Sequence, residues 1–380
     1  MGKIVLRRAT DYSQSDRLEA AVEAVLAAGT AQERIAGARV LLKPNLLARH
    51  APGAAVTTHP EVLRAVIRGV KKRAPASITV ADSSGGPYAA ALMKAVYKTS
   101  GLAAVCEEEG VVLHTGTGSA QREAKGALVQ RFQLIDPVLE SDFIINLPKL
   151  KTHMMTTLSC GVKNLFGCVP GLMKAEFHTR FPDKGRFGRM LVDLAQTVRP
   201  DLTIVDAVTA MEGDGPAGGV PRQVGLIFGG EDLYKVDLAA CRLIGLEPRR
   251  VPYLADAIER GLCGADLPAE ETDDPDGLLR PIKNFALPSS YHQLDFSDNA
   301  PAGLRWAPPL VIRLASPRPK INRKKCIGCG NCAAICPAKV IEIKEGKAHI
   351  APQHCIKCFC CHEMCPVKAI DVRRFSLFSI

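Results

Sequence analysis

Aromatic residues are scarce in this chain, at 5% with a single Trp, so no stacked platform for nucleic-acid bases is written into it. No uninterrupted apolar run approaches the about 18 residues of a membrane-spanning helix. The opening run, Met1 to Arg8, is followed by no apolar segment of a secretory leader. No Walker A run is present, Gly116-x-Gly118 lacks the rest of a dinucleotide fingerprint, and Gly85-Gly86 does not supply one. These absences set the expectation of a cytoplasmic protein with no membrane span, no nucleic-acid partner and no Rossmann nucleotide site. What is present is an ordinary globular composition, 47% hydrophobic and 23% charged. A chain of 380 residues is long enough for about two or three domains.

Charge is unevenly spread. The formal total is +10, and from Pro317 onward twelve Lys/Arg stand against four Asp/Glu, an excess of +8. Of the 14 cysteines, nine crowd between Cys326 and Cys365 at metal-cluster spacing, which suits a reducing compartment better than a disulfide framework. Cys106, Cys160, Cys168, Cys241 and Cys263 are scattered and read as small buried hydrophobes.

Strand and helix patterns alternate through the first two thirds. Short apolar runs at Ala38–Leu42, Ser77–Ala81, Val111–Leu113, Asp142–Leu147, Leu202–Val205 and Val224–Phe228 read as strands. Helices are expected after Thr58, whose spacing to Glu61 is that of a capping box, from Tyr88 to Lys98, and from Glu231 to Ile244. The alternation predicts an α/β fold with a mostly parallel, helix-covered sheet. Several strand ends are followed by Gly, Asp, Lys or Asn, where such sheets place ligands. The expected body covers residues 1–263, residues 264–316 read as a linker or ordered connecting loop, and residues 317–380 form a separate small α+β module.

That module carries the strongest motif. Cys326, Cys329, Cys332 and Cys336 with Pro337 make C-x2-C-x2-C-x3-C-P; Cys355, Cys358, Cys361 and Cys365 with Pro366 repeat it, with Cys360 as an extra thiol. In paired runs of this kind three close cysteines wrap one [4Fe–4S] cluster and the fourth ligates the other. The reading is therefore two clusters, one on Cys326, Cys329, Cys332 and Cys365, the other on Cys355, Cys358, Cys361 and Cys336. A structural zinc site wants a single tetrahedral set and leaves the duplication unexplained. Each cluster with its four thiolates carries a net charge of about −2, so the two together take roughly 4 units off the basic tail. Between the runs, Val340–Ile343 and Lys347–Ile350 around Glu345-Gly346 read as a hairpin. The module resembles bacterial two-cluster ferredoxins.

In the body the densest polar constellation runs from Asn146 to Gly171, followed by Lys174 and His178. With the strand ending near Leu147, Lys149, Lys151 and His153 fall just beyond it, and alternation aims all three the same way if the chain stays extended. Such a set binds an anion, and His153 is able to shuttle a proton near neutral pH; the competing reading is a solvated basic loop. Thr156 or Thr157 is a candidate helix cap. Cys160 and Cys168 flank Lys163 and Asn164, where a reactive thiol competes with buried filler. Met211-Glu212-Gly213-Asp214-Gly215-Pro216 puts two carboxylates in a glycine-rich loop, suited to a metal or hydroxylated ligand or simply a turn with solvated acids.

The run from Leu147 to Gly171, with Lys43-Pro44-Asn45, Asp82-Ser83-Ser84-Gly85-Gly86 and Asp206 through Pro216, resembles the DUF362 family of iron–sulfur-associated proteins. The resemblance covers most of residues 35 to 245, with Ser84 standing where the family form carries Pro. Members often carry a C-terminal ferredoxin module, and the resemblance implies a body fed with electrons by its own ferredoxin but no particular reaction. The resulting expectation is an iron–sulfur oxidoreductase acting on a small anionic substrate. His153, Lys163 and His178 are its candidate catalytic residues, and Lys43, Asn45, Lys149, Lys151, Asn164 and Lys174 its candidate substrate-binding residues. A redox partner protein would exchange electrons with it. The alternatives are a non-catalytic electron-transfer subunit and a cofactor- or metal-maturation protein.

Overall fold

The computed structural model describes residues 2–291 and 318–373. Twelve strands of the described body are numbered in chain order: β1 Ile4–Arg8, β2 Arg39–Pro44, β3 Ser77–Val80, β4 Val112–Leu113, β5 Ser119–Glu123, β6 Arg131–Ile135, β7 Phe143–Leu147, β8 Lys149–His153, β9 Thr157–Ser159, β10 Leu202–Glu212, β11 Val220–Gly230 and β12 Thr272–Asp273. The main sheet runs β12-β1-β11-β10-β7-β2-β3-β4, with β8 and β9 branching from β10. The pairs from β10 through β7, β2 and β3 to β4 are parallel, while β11 joins β1 and β10 antiparallel. Strands β5 and β6 form a separate hairpin.

Side-chain alternation divides the core into two layers. Val40 and Leu42 of β2, with Ile145 and Leu147 of β7, pack on the helices Ser15–Leu26, Pro60–Lys71 and Ala90–Thr99. Leu41 and Ile144 turn the other way, onto Lys184–Val198, Leu233–Ile244 and Pro252–Glu259. Strands buried on both faces read as near-continuous apolar runs, which is how these segments stand out in the sequence.

Two local expectations are corrected. The helix after Thr58 begins at Pro60 and is capped by His59, whose ring nitrogen accepts from the Glu61 N–H at 3.3 Å. Thr58 instead donates to the Leu147 carbonyl at 2.6 Å and accepts from the Asn45 N–H at 2.8 Å, pinning two strand ends together. Nor does the chain leave the sheet after Leu147. Pro148 has no N–H to give, yet extended structure resumes at once as β8, all five residues of which are buried. Strand β10 changes partner there, pairing with β7 through Leu202 and Thr203 and with β8 through Asp206 and Met211. The register advances five residues on β10 for two on β8, so the ladder is broken between Lys149 and Lys151. No helix follows Thr156 or Thr157; Thr157 opens β9, which pairs back on β8.

Of the segment 264–316, residues 264–291 are described. Strand β12 adds to the sheet edge beside β1, and Leu278, Leu279 and Phe285 are buried in the core. Residues 292–316 lie outside the described residues. In the C-terminal module Arg318–Ile321 pairs antiparallel with Ile370–Arg373, and Ile341–Lys344 with Lys347–Ile350, the expected hairpin. Short helices Asn331–Ile335 and Cys360–Glu363 lie within the cysteine runs, each carrying the third cysteine and ending before the fourth.

Lys149 is fully buried. Its ammonium donates to Asp206 at 2.8 Å and to the Tyr12 hydroxyl at 2.7 Å, while Tyr12 donates to the other Asp206 oxygen at 3.0 Å. Removing one partner strands a buried charge. Lys149→Met is expected to lower stability by about 3–5 kcal/mol in urea titration while leaving the iron content unchanged; a loss below about 1 kcal/mol would show that the pair is not structural.

Candidate functional site

The two cysteine runs fold alike. Gly328 and Lys357, each two residues after the first cysteine, both take positive φ, at 68° and 58°. So do Gly330 and Phe359, and Lys339 and Lys368, at matching steps. The duplication therefore extends to the backbone, and Lys357 and Phe359 accept a strained conformation to keep it.

Cys326, Cys329, Cys332 and Cys365 line one small cavity, of about 20 Å³. Burial raises the Cys332 pKa, and the thiols that push it further are Cys329, Cys365 and Cys326. Cys361 is likewise raised by burial and then by Cys358, Cys355 and Cys336, with Cys332 behind them. The fourth cysteine of each run thus sits with the first three of the other. All eight thiols are free, and backbone N–H groups reach sulfur from Ala348 to Cys326 at 3.4 Å and from Ala369 to Cys365 at 3.1 Å. Soft thiolate sets with N–H donors to sulfur fit iron–sulfur ligation.

A second cavity, of about 70 Å³, lies between body and module. The body contributes Asn45, Lys151, His153, Lys163, Asn164, Lys174 and His178; the module contributes Ile335, Cys360, Glu363 and Met364. The module is seated on two glycines of the body. A Cβ at Gly85 would come within 2.7 Å of the Met364 sulfur, and one at Gly218 within 2.3 Å of His362 Nε2. Lys368 donates to the Gly219 carbonyl at 2.8 Å, and His362 Nε2 lies 3.3 Å from the Asp214 carbonyl.

The cavity is rich in unsatisfied polarity. Asn45 Oδ1, His178 Nδ1 and Glu363 Oε1 are buried without a hydrogen-bond partner. Lys151 donates only to the Val56 carbonyl at 2.7 Å, and Lys174 to Ser83 and Ser84 oxygens at 2.8–3.2 Å. Lys163 rests 4.8 Å from the Phe166 ring centroid. None of the three makes an ion pair among the described residues. Burial pulls Lys151 down to about 7, helped by the Lys163 charge, and pulls Lys174 down to about 7 against Asp82. Lys163 is also lowered by burial, with Glu363 opposing. Burial raises Glu363, and Lys163 opposes that too.

Seven of the nine body residues singled out from sequence meet here; Lys43 and Lys149 do not line the cavity. Lys43 is held at 2.7 Å by Asp82 and at 2.8 Å by the Pro44 carbonyl, behind Asn164, and Lys149 by Asp206. Asn164 is fixed by Asn45 and Asn146, at 2.9 and 2.8 Å. The expected roles of the two histidines are revised. His153 Nδ1 accepts from the Met155 and Thr156 N–H groups at 3.1 and 3.3 Å, which leaves the proton on Nε2, 3.4 Å from Glu363. Burial drives its pKa well down, so it presents a neutral donor rather than a shuttle. His178 stacks on Phe187 at 4.5 Å and burial pulls it to about 3. Cys160 and Cys168 are raised by burial, Cys168 to about 12, which argues against a reactive thiol. Glu212 accepts from the Ala286 N–H at 3.0 Å and Asp214 from the Ser289 N–H at 2.7 Å, so both anchor a neighbouring loop. Glu363 escaped the sequence reading because it stood as a spacer within a cysteine run.

The family described as a domain of unknown function, DUF362, matches residues 40–242, and the 4Fe-4S dicluster domain matches residues 318–366. The C-terminal module is thus an iron–sulfur domain. The chain is 36% identical over 270 residues to the thylakoid-associated protein sll1697 of Synechocystis sp., covering 68% of this chain and 79% of that one. Among solved structures, the lactate racemase apoprotein from Thermoanaerobacterium thermosaccharolyticum aligns with TM-score 0.42 and 15% identity over 62% of this chain. A structural-genomics protein from Thermotoga maritima aligns with TM-score 0.37 and 14% identity over 60%. The chain spans 56% and 58% of those two structures. No helix among the described residues is long and apolar enough to cross a membrane.

An anion in the cavity favours protonated Lys151 and Lys174. In the free protein both lose protons as pH rises through about 7, so above that value an anion must recruit them back. Affinity for a small carboxylate, itself ionised throughout, is expected to be greatest below pH 7. It should fall above it by up to about tenfold per pH unit for each lysine. Calorimetry across pH 6–9 measures this, and Lys151→Met should make the fall shallower; a pH-independent affinity would contradict the assignment.

Proposed function

This chain belongs to the DUF362 family, and from that premise we propose that it is an iron–sulfur oxidoreductase passing electrons through two [4Fe–4S] clusters to or from a small anionic substrate in the α/β body. The observation that carries the reading is the shared cavity. One wall carries Lys151, Lys163 and Lys174 of the body, and the other is the turn Cys360–Glu363, which contains the ligand candidate Cys361 and lies between Cys358 and Cys365. One cluster would be held by Cys326, Cys329, Cys332 and Cys365, the other by Cys336, Cys355, Cys358 and Cys361; when bound they supply one-electron transfer.

The chain's own residues divide the remaining work. Lys151, Lys163 and Lys174 hold the anionic group, since their charges are otherwise unmatched by ion pairs. Asn45 and Asn164 orient it, Asn164 being locked by Asn146. His153 offers its Nε2–H as a fixed donor. Lys151 and Lys174, lying near 7, are the lysines able to hold or release a proton at working pH. Phe166, Leu46, Leu47 and Met364 give the cavity an apolar side that limits water around the reacting group. A purely electron-carrying subunit has no use for such a pocket, which is why the enzymatic reading is preferred. A redox partner protein completes the cycle, and the compartment in which it works is the cytoplasm.

Two measurements test it. Anaerobically prepared protein is expected to contain about eight iron atoms and eight acid-labile sulfides per chain; stoichiometric zinc without sulfide would defeat the cluster assignment. Lys163→Gln should keep that content yet weaken binding of small carboxylates and inorganic phosphate at least about tenfold. Unchanged anion binding in Lys163→Gln would remove the cavity from the mechanism.

A further inference from the structure

The two cysteine sets face different surroundings. Ile335, Cys360, Glu363 and Met364 line the substrate cavity, and Ile335, Cys358, Cys360, Ile356 and Met364 pack together, so the set containing Cys358 is on the body side. The cavity of Cys326, Cys329, Cys332 and Cys365 is lined by module residues only, and Cys329 is exposed. Three large apolar side chains around that second cavity remain in solvent: Ile327 at 62%, Ile343 at 39% and Val367 at 36% exposure. They are the three exposed large apolar side chains of the described module.

Basic residues adjoin Ile327 and Ile343. Arg323, Lys324 and Lys325 immediately precede Cys326 and are exposed, Lys344 is exposed beside Ile343, and Lys347 donates to the Cys326 carbonyl at 2.5 Å. Glu342 and Glu345 are the nearby acids, paired with Lys344 and Arg323. From Pro317 onward the chain holds an excess of +8, and two reduced-charge cluster sites leave roughly +4 of it. An apolar centre bordered by an excess of one sign of charge, here Arg323, Lys324, Lys325, Lys344 and Lys347 against Glu342 and Glu345, is how small, transient interfaces combine contact with steering.

We propose that Ile327, Ile343 and Val367, with the rim of Arg323, Lys324, Lys325 and Lys347, form the docking surface for an acidic one-electron carrier protein. The inference rests on the reading of the module as the electron-carrying part. Charge complementarity selects an acidic partner, and aliphatic rather than aromatic residues at the centre disfavour single-stranded nucleic acid. The surface lies on the opposite set of cysteines from the one at the substrate cavity, so carrier and substrate do not compete for space.

The test uses full-length, anaerobically prepared protein with its iron and sulfide content verified. Binding of an acidic plant-type [2Fe–2S] ferredoxin is measured by anaerobic calorimetry, with basic cytochrome c and vesicles containing phosphatidylglycerol as comparison probes. The ferredoxin is expected to bind, more weakly as salt rises toward about 0.15 M, where screening acts over about 8 Å. The double substitution Lys324→Glu with Lys325→Glu should raise its Kd at least about tenfold, and Ile327→Ser should raise it severalfold without changing the salt dependence. Equal ferredoxin binding by the charge-reversed protein overturns the proposal. So does cytochrome c binding as tightly, or charge-dependent capture by vesicles with no ferredoxin binding, which would make the patch membrane-facing. Carboxylate binding to the body cavity is followed in the same samples. Its absence alongside charge-dependent ferredoxin binding would reject the substrate reading and leave the docking surface standing.

Discussion

Taking a lysine ammonium out of water is costly unless a carboxylate or equivalent comes with it, and this body buries or half-buries five of them around the ends of its central strands. Two are matched: Lys43 with Asp82 and Lys149 with Asp206, each ion pair at 2.7–2.8 Å with both side chains almost wholly out of solvent. Lys151, Lys163 and Lys174 are given carbonyl oxygens or a ring face instead. The matched pairs tie neighbouring strands together. The unmatched three leave positive potential directed into a cavity, which is the condition for recruiting an anion.

That cavity exists only because the C-terminal module closes it. Glycine at 85 lets Met364 approach, and glycine at 218 lets His362 approach, so two of the polar loops of the body serve as a seat for the turn Cys360–Glu363. The same turn supplies Glu363, the carboxylate that acts on Lys151 and Lys163, and Cys360, a thiol flanked by ligand candidates. The lysine-lined cavity and the iron–sulfur module therefore share a wall, and a change at either glycine would disturb both.

The sequence made the cysteine framework legible because paired C-x2-C-x2-C-x3-C-P runs have few other physical uses, and the crossing of the fourth cysteines follows from it. Strand–helix alternation was equally legible, since strands covered on both faces are continuous apolar runs. The lysines were harder. Asp82 lies 39 residues from Lys43 and Asp206 lies 57 from Lys149, and spacing along the chain gives no sign that either pair will meet. Lys149 and Lys151 looked equivalent by alternation, and only the broken register against β10 separates them. His153 resembled a proton shuttle because its ring is free in the sequence; in the fold the turn through Met155 and Thr156 occupies one nitrogen.

The unmatched lysines and the cysteine-bearing module look into one space. Potentiometric titration of the anaerobic protein, followed by electron paramagnetic resonance with and without a bound carboxylate, tests it most directly. An anion placed beside the module should make its reduction harder, lowering the midpoint potential of one of the two signals in the wild-type protein and leaving that potential unmoved in Lys163→Gln. Midpoints that ignore a bound anion in the wild-type protein would show that substrate and clusters do not share the cavity.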